Sequence, residues 1–210
     1  MKLQFQKDAI VNGINIVMKA VPSKTTMSIL ECILIDASSN EIRLTGNDME
    51  LGIETKVEGQ ILEHGKIALD AKLFSEITRR LSSQNSTITI ESDQKLNTTI
   101  RCENSVFNIQ GRDGEEFTYI PYIERDKYIT LSQFTLKEVI QQTIFSISPN
   151  DSNKMMTGEL FDINDGELKV VSLDGHRISI RKIELKSSYP AKKVIVPGKT
   201  LTEISKILTG

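Results

Sequence analysis

The sequence has no tryptophan, and Phe and Tyr together make up only 5% of its 210 residues. Base stacking on single-stranded nucleic acid is therefore poorly supplied. Two cysteines, Cys32 and Cys102, with no CxxC pair, exclude a disulfide framework and read as buried thiols in a reducing cytoplasm. With two histidines in all, a zinc site is not expected. No apolar run approaches the roughly 18 residues a membrane helix needs. The alternating N-terminus MKLQFQKDAI is no signal peptide. There is no GxxxxGK[ST] loop, no GxGxxG after a strand, no HExxH and no GxSxG. No cofactor or metal is therefore expected. What is present is an ordinary globular mixture, 26% charged and 39% hydrophobic, long enough for one or two domains.

The chain nearly repeats itself at an offset of about 126 residues. LQFQKDAI (3–10) aligns with ITLSQFTL (129–136), and ILIDASSNEIRLTGND (33–48) with ELFDINDGELKVVSLD (159–174). At offset 127, IALDAKLFSEITRRL (67–81) aligns with VIVPGKTLTEISKIL (194–208). Three collinear blocks at nearly one offset argue for duplicated domains, since solenoid repeats have much shorter periods. Each unit reads as a strand, a helix, two or three strands and a second helix, an α+β pattern. Helical spacing places helices at about 8–20 and 72–82, then 135–147 and 199–208. Ile10, Gly13, Ile14, Val17 and Met18 face inward on the first; Leu73, Phe74, Ile77 and Leu81 on the second, with Ser75 outward. In the second unit the inward residues are Leu136, Ile140, Ile144 and Ile147, then Leu201, Ile204 and Leu208. STITIESD, LNTTIRCE and SVFNIQG alternate with period two and predict three antiparallel strands that close the first unit. The expected organisation is a first domain over 1–120, a linker over 121–128 at the end of an acidic stretch read as linker from about 112, and a second domain over 129–210. By comparison with the first, the second domain lacks its last strands and is incomplete at its C-terminal end.

Net charge is −2, against a nonspecific nucleic-acid binder taken whole. The charge is uneven, however. Residues 1–126 carry 14 basic and 19 acidic groups, and residues 127–210 carry 12 and 9. The four predicted helices hold eight basic residues (Lys7, Lys19, Lys72, Arg79, Arg80, Lys137, Lys199, Lys206) against four acidic ones (Asp8, Glu76, Glu138, Glu203). A cationic helical side suits phosphate contact through counterion release, independent of sequence. It is equally read as a set of solvated helix faces. The cluster Asp174-Gly175-His176-Arg177 reads as a capped turn at a strand end. A hydrolase built on Asp174 and His176 would need a nucleophile that spacing does not identify.

LTGNDMEL (44–51), MTGELFDI (156–163), VVSLDGHRISI (170–180) and VIVPGKTLTEISKIL (194–208) resemble the bacterial sliding clamps, the beta subunits of DNA polymerase III. The last two resemble that family's TDGHRL and VIVPRKxLxEL signatures, and the resemblance runs over essentially the whole chain. It implies a DNA clamp fold of repeated domains, each with antiparallel sheets outside and two helices on the inner face. Family members carry three such domains, so the third is absent from this chain. It further implies a non-catalytic subunit of the DNA-directed DNA polymerase holoenzyme, a nucleotidyltransferase. Two full-length subunits would form a homodimeric ring around duplex DNA and confer processivity by tethering polymerase, clamp loader and repair partners that carry a clamp-binding motif.

Carried over residue by residue, the resemblance places DNA contacts at Lys24, Arg79, Asn150 and Lys154, with Lys199 and Lys206 as helix candidates. The partner-peptide cleft falls on Met156, Leu173, Gly175, His176, Arg177 and Ile178, where Leu173 replaces the usual threonine. The dimer contact falls on Leu73, Phe107 and Ile109. KTTMSIL (24–30) lacks the prolines of the family's RPTLPIL. The early stop at Gly210 also admits a truncated clamp relative acting as an adaptor that binds partners without encircling DNA.

Overall fold

The computed structural model describes residues 1–81, 86–118, 120–121, 126, 128–149 and 153–209. The chain divides into two compact units, Met1–Tyr122 and Ile123–Gly210.

Unit one opens with β1 (Lys2–Gln6), whose alternation buries Leu3 and Phe5. Then come α1 (Lys7–Val17) and a 3-10 turn (Met18–Ala20). A second 3-10 turn (Ser28–Glu31) leads to β2 (Cys32–Asp36), β3 (Ile42–Asn47), β4 (Gly52–Val57), β5 (Gln60–Glu63) and β6 (Lys66–Asp70). Next are α2 (Ala71–Arg80), β7 (Thr87–Ser92), β8 (Asn97–Cys102), β9 (Ser105–Gln110) and the short β10 (Arg112–Asp113). Two antiparallel sheets result, in the orders β5-β1-β7-β8-β9 and β10-β6-β2-β3-β4. One apolar cluster joins both sheets to α1 and α2 through Phe5, Ile14, Ile33, Leu44, Phe74 and Ile88.

Unit two contains α3 (Gln133–Thr143), a 3-10 turn (Ile144–Ser146), β11 (Gly158–Asn164), β12 (Glu167–Leu173), β13 (Ile178–Glu184), β14 (Lys192–Pro197) and α4 (Gly198–Ile207). Its antiparallel sheet runs β13-β12-β11-β14, the order of β4-β3-β2-β6 in unit one. The repeat is kept in detail. Moving α1 and its 3-10 turn on by 126 residues gives the bounds of α3 and its turn, and moving α2 on by 127 gives α4. Unit two's core is thinner: seven buried cluster residues among those described, against twenty-one in unit one's main cluster.

Several details differ from the sequence expectations. Residues 129–132 form no strand before α3. Their counterpart β1 is held between β5 and β7, and among the described residues unit two has no such neighbours. The stretch from 112 to 117 is not linker: β10 pairs with β6, Asp113 caps a 3-10 turn, and Phe117 is buried against Cys32, Leu34 and Ala68, while most of the expected linker 121–128 lies outside the described residues. On α2, Leu73 is 45% exposed while Ser75 is buried. The register follows Ala71, Phe74, Ile77 and Thr78, because Asp70 at the N-cap, accepting from the Leu73 amide at 2.8 Å, fixes where the helix begins. On α3 the buried residues are Val139, Ile140 and Thr143, with Leu136 and Ile144 packed at the margin.

Candidate nucleic-acid interface and peptide-docking turn

The cationic helix residues are not uniformly available. In unit one the Lys7 ammonium donates to the Leu81 carbonyl at the end of α2. In unit two Lys137 does the same for Leu208 beyond α4 at 3.2 Å. These lysines satisfy orphan carbonyls at helix C-termini, where positive charge is favoured by the helix dipole. Arg80 pairs with Glu76 at 3.7 Å and Lys206 with Glu203 at 2.6 Å. Arg79 is exposed, and its guanidinium donates to Asn15 Oδ1 on α1 at 2.5 Å, which ties it to the neighbouring helix. Lys24 stands exposed on the loop between the first two 3-10 turns, where Thr25 Oγ1 accepts from the Met27 amide at 3.1 Å. Lys154 is exposed on a turn braced by Asn153 and Thr157. Lys199 is exposed at the start of α4. Asn150, the sixth residue assigned to DNA, lies outside the described residues.

The second set gathers at one end of unit two's sheet. Strand register puts Leu173 opposite Ile178, and the Asp174–Arg177 turn joins them. Asp174 builds that turn. Its Oδ1 accepts from the amides of His176 (3.0 Å) and Arg177 (3.1 Å), and its Oδ2 from Arg177 Nε (2.9 Å). Those amides, with the guanidinium, hold its carboxyl below the usual carboxylate range. Gly175 takes a φ of +89°, which an L side chain would strain. The carboxylate is thus spent on backbone and Arg177, not on the His176 ring, and no Asp–His dyad forms. Met156 lies in the turn that leads into β11 at the same sheet end, its carbonyl accepting from the Ser148 amide at 2.8 Å. Leu173 and Met156 are half-buried; His176, Arg177 and Ile178 are exposed, Ile178 at 59%. The result is an apolar patch with a cationic rim. Sequence reasoning missed Phe145, which is 57% exposed, with the Arg177 guanidinium 6.0 Å from its ring centre. Its lack of an inward partner in the helical pattern was the available signal.

Unit one holds a second copy of this turn. Asp48 Oδ1 accepts from the amides of Glu50 (3.0 Å) and Leu51 (2.7 Å), and Met49 adopts a φ of +75°. There the surface is covered. Asn47 donates to the Thr118 carbonyl at 3.1 Å, Leu51 is buried, and Ile120 lies against Gly52 so closely that a Cβ there would come within 2.6 Å of it.

The residues assigned to a dimer contact lie in unit one. Phe107 (38% exposed) and the half-buried Ile109 are on β9, which pairs only with β8 among the described strands, and Leu73 is on α2. A free apolar edge of this kind is a ready template for another chain. No group of metal-ligating side chains occurs among the described residues, and none of their helices is long and apolar enough to cross a membrane.

Residues 1–121 match the family model for the DNA polymerase III beta subunit, N-terminal domain, and residues 130–210 match the model for its central domain. The beta sliding clamp of Bacillus subtilis is 37% identical over 99% of this chain, and the chain spans 57% of that relative's length. Among solved structures, a putative DNA polymerase III beta subunit from Eubacterium rectale superposes with a TM-score of 0.96 at 64% identity, covering 99% of this chain and 56% of that one. The Bacillus subtilis sliding clamp gives 0.94 at 35%, covering 100% and 57%.

Proposed function

The chain belongs to the DNA polymerase III beta subunit family, and on that premise we propose that it serves as a non-catalytic DNA sliding clamp, holding the replicative polymerase on duplex DNA in the cytoplasm. The matched relatives are longer, so the ring itself is part of the proposal: two full-length subunits close around DNA, with Leu73, Phe107 and Ile109 on one side of the joint. Lys24, Arg79, Asn150, Lys154, Lys199 and Lys206 contact phosphates without reading bases, as the absence of tryptophan and the scatter of single cations favour. Polymerase, loader and repair partners dock as extended peptides at Met156, Leu173, Gly175, His176, Arg177 and Ile178.

The observation that carries this reading is the contrast between the two copies of the Asp turn. Both are built by the same hydrogen bonds, and the copy in unit one is covered by the chain's own Thr118 and Ile120, whereas the copy in unit two leaves Ile178 and Arg177 exposed. An exposed aliphatic floor beside a guanidinium fits a hydrophobic peptide anchor. The test is fluorescence anisotropy of a labelled peptide carrying a polymerase's clamp-binding segment. Ile178→Asp should weaken binding at least about tenfold, the scale of burying one aliphatic anchor. The equivalent change Gly52→Asp in unit one should leave the affinity of folded protein unchanged. Equal affinity for wild type and Ile178→Asp would refute the docking site.

A further inference from the structure

Five positions at one end of unit two are polar where unit one is apolar. Thr143, Ser146, Glu159, Ser172 and Ser179 stand, at an offset of 126, for Val17, Ala20, Ile33, Gly46 and Ile53. The first four are buried and Ser179 is half-buried. Ser172 Oγ donates to the Thr143 carbonyl at 2.5 Å, the Ser146 and Ser179 hydroxyls meet at 2.6 Å, and Thr143 Oγ1 donates to the Val139 carbonyl at 2.7 Å. These bonds tie the end of α3 to β12 and β13. In unit one the same helix end sits directly on the strand, with the Val17 carbonyl so close to Gly46 that a Cβ would fall 2.4 Å from it.

Glu159 differs from the other four. It is fully buried, and neither carboxylate oxygen has a hydrogen-bond partner among the described residues. Strand register sets it opposite Val196 on β14 and, extended by one residue, opposite Ser172 on β12. Burial pushes the carboxyl up to about 7, and the Thr143 hydroxyl beside it on α3 directs its proton to the Val139 carbonyl. Among the described residues no ionised group acts on it. An ionised carboxylate without partners is costly in such surroundings.

We propose that Glu159, with the hydroxyl bonds that tie α3 to β12 and β13, forms a proton-operated lock on unit two: with the carboxyl neutral, α3 seats on β11–β13, and with the carboxyl ionised, water enters and these strands loosen. Ser172 and Ser179 pair across β12 and β13 next to Leu173 and Ile178, so loosening there reaches the Asp174 turn whether or not that turn binds peptides. The folded carboxyl holds its proton to about pH 7, whereas the unfolded one releases it near 4.5. Stability of unit two therefore falls as pH rises from about 4.5 to 7 and is level above.

Hydrogen–deuterium exchange of the whole chain, corrected for intrinsic rates, tests this at pH 5 and pH 8. In wild type, protection of peptides from β11–β13 should fall by a few tens of fold between the two, following ten per pH unit across the shifted range, while β2–β4 stay constant. Glu159→Gln and Glu159→Ile, the latter supplying unit one's residue, should abolish the difference. Uniform protection of β11–β13 in wild type, or the same fall in both variants, overturns the proposal. If Glu159→Gln does not fold, Glu159→Ile and the wild-type contrast between the units decide it.

Discussion

Unit one and unit two share α-helix bounds, strand order and the Asp turn, yet they solve the same packing problem with different materials. Unit one brings two sheets to its helices and fills the space with aliphatic and aromatic side chains. Unit two has one sheet among the described residues and places hydroxyls and a carboxyl where unit one has Val17, Ala20 and Ile33. A shared topology thus fixes where the chain runs, while the amount of buried apolar surface decides how firmly it is held.

The sharpest way to probe that contrast is to empty equivalent places in the two cores. Phe74 on α2 and Leu201 on α4 occupy the same position in the repeat, and both are buried. Phe74→Ala should cost about 3–5 kcal/mol, because a dense core relaxes little around a cavity. Leu201→Ala should cost about 2–3 kcal/mol, at the low end of its class, because the thinner core of unit two can close around the gap. Urea unfolding followed by exchange mass spectrometry reads each unit separately, and equal losses would mean that the cores are equally rigid.

Alkaline pH should turn the comparison the other way. Burial pushes the Cys32 thiol of unit one up to about 11, with Arg112 offsetting part of the rise. The unfolded thiol ionises near 9 and the folded one only near 11, so unit one loses stability as pH climbs through that window. The loss by pH 11 is about 2–3 kcal/mol. Measured from urea midpoints at pH 8.5 and pH 10.5, it should shrink in Cys32→Ala.

The helix caps have changed places between the units. Asp70 caps α2 whereas Pro197 leaves α4 without a side-chain cap. Ser132 caps α3 through the Thr135 amide at 3.0 Å whereas Gln6 gives α1 none. Asp70→Ala should therefore destabilise unit one, and Ser132→Ala unit two, each by about 1 kcal/mol. Thermal melts with each unit's exchange followed separately would show whether the two losses stay confined to their own units.

Much of this is legible in the sequence alone. Alternation in STITIESD, LNTTIRCE and SVFNIQG gave β7, β8 and β9, because strands with one buried face must alternate. Helix positions followed from the spacing of Ile10, Ile14 and Val17 and of Phe74 and Ile77. The outward turn of Leu73 was not legible, since an apolar residue in a helix reads as core unless the register is known. Neither was the loss of the strand at 129–132, which depends on partner strands and not on its own residues. At the candidate site, the Asp174 turn could be read from Asp-Gly chemistry. The exposure of Phe145 beside Arg177, and the covering of unit one's turn by Thr118 and Ile120, depend on contacts distant in sequence.

The smallest effect separates the two Asp turns themselves. Met49 and Gly175 hold the same place in the repeat and the same left-handed backbone, at φ +75° and +89°. An L residue there costs about 1–2 kcal/mol, and Met49 is exposed, so little packing offsets the strain. Met49→Gly removes that strain but loosens the unfolded chain by about 0.5–1 kcal/mol. The balance is a gain of roughly 0.5 kcal/mol for unit one. Gly175→Ala meets nothing within 4 Å, so space is no obstacle, yet it reverses both terms and should destabilise unit two by a similar amount. Opposite signs from opposite exchanges at one repeat position, read from urea midpoints, would show that backbone geometry sets the preference. Equal signs would show that the neighbouring contacts, which differ between the covered and the open turn, outweigh it.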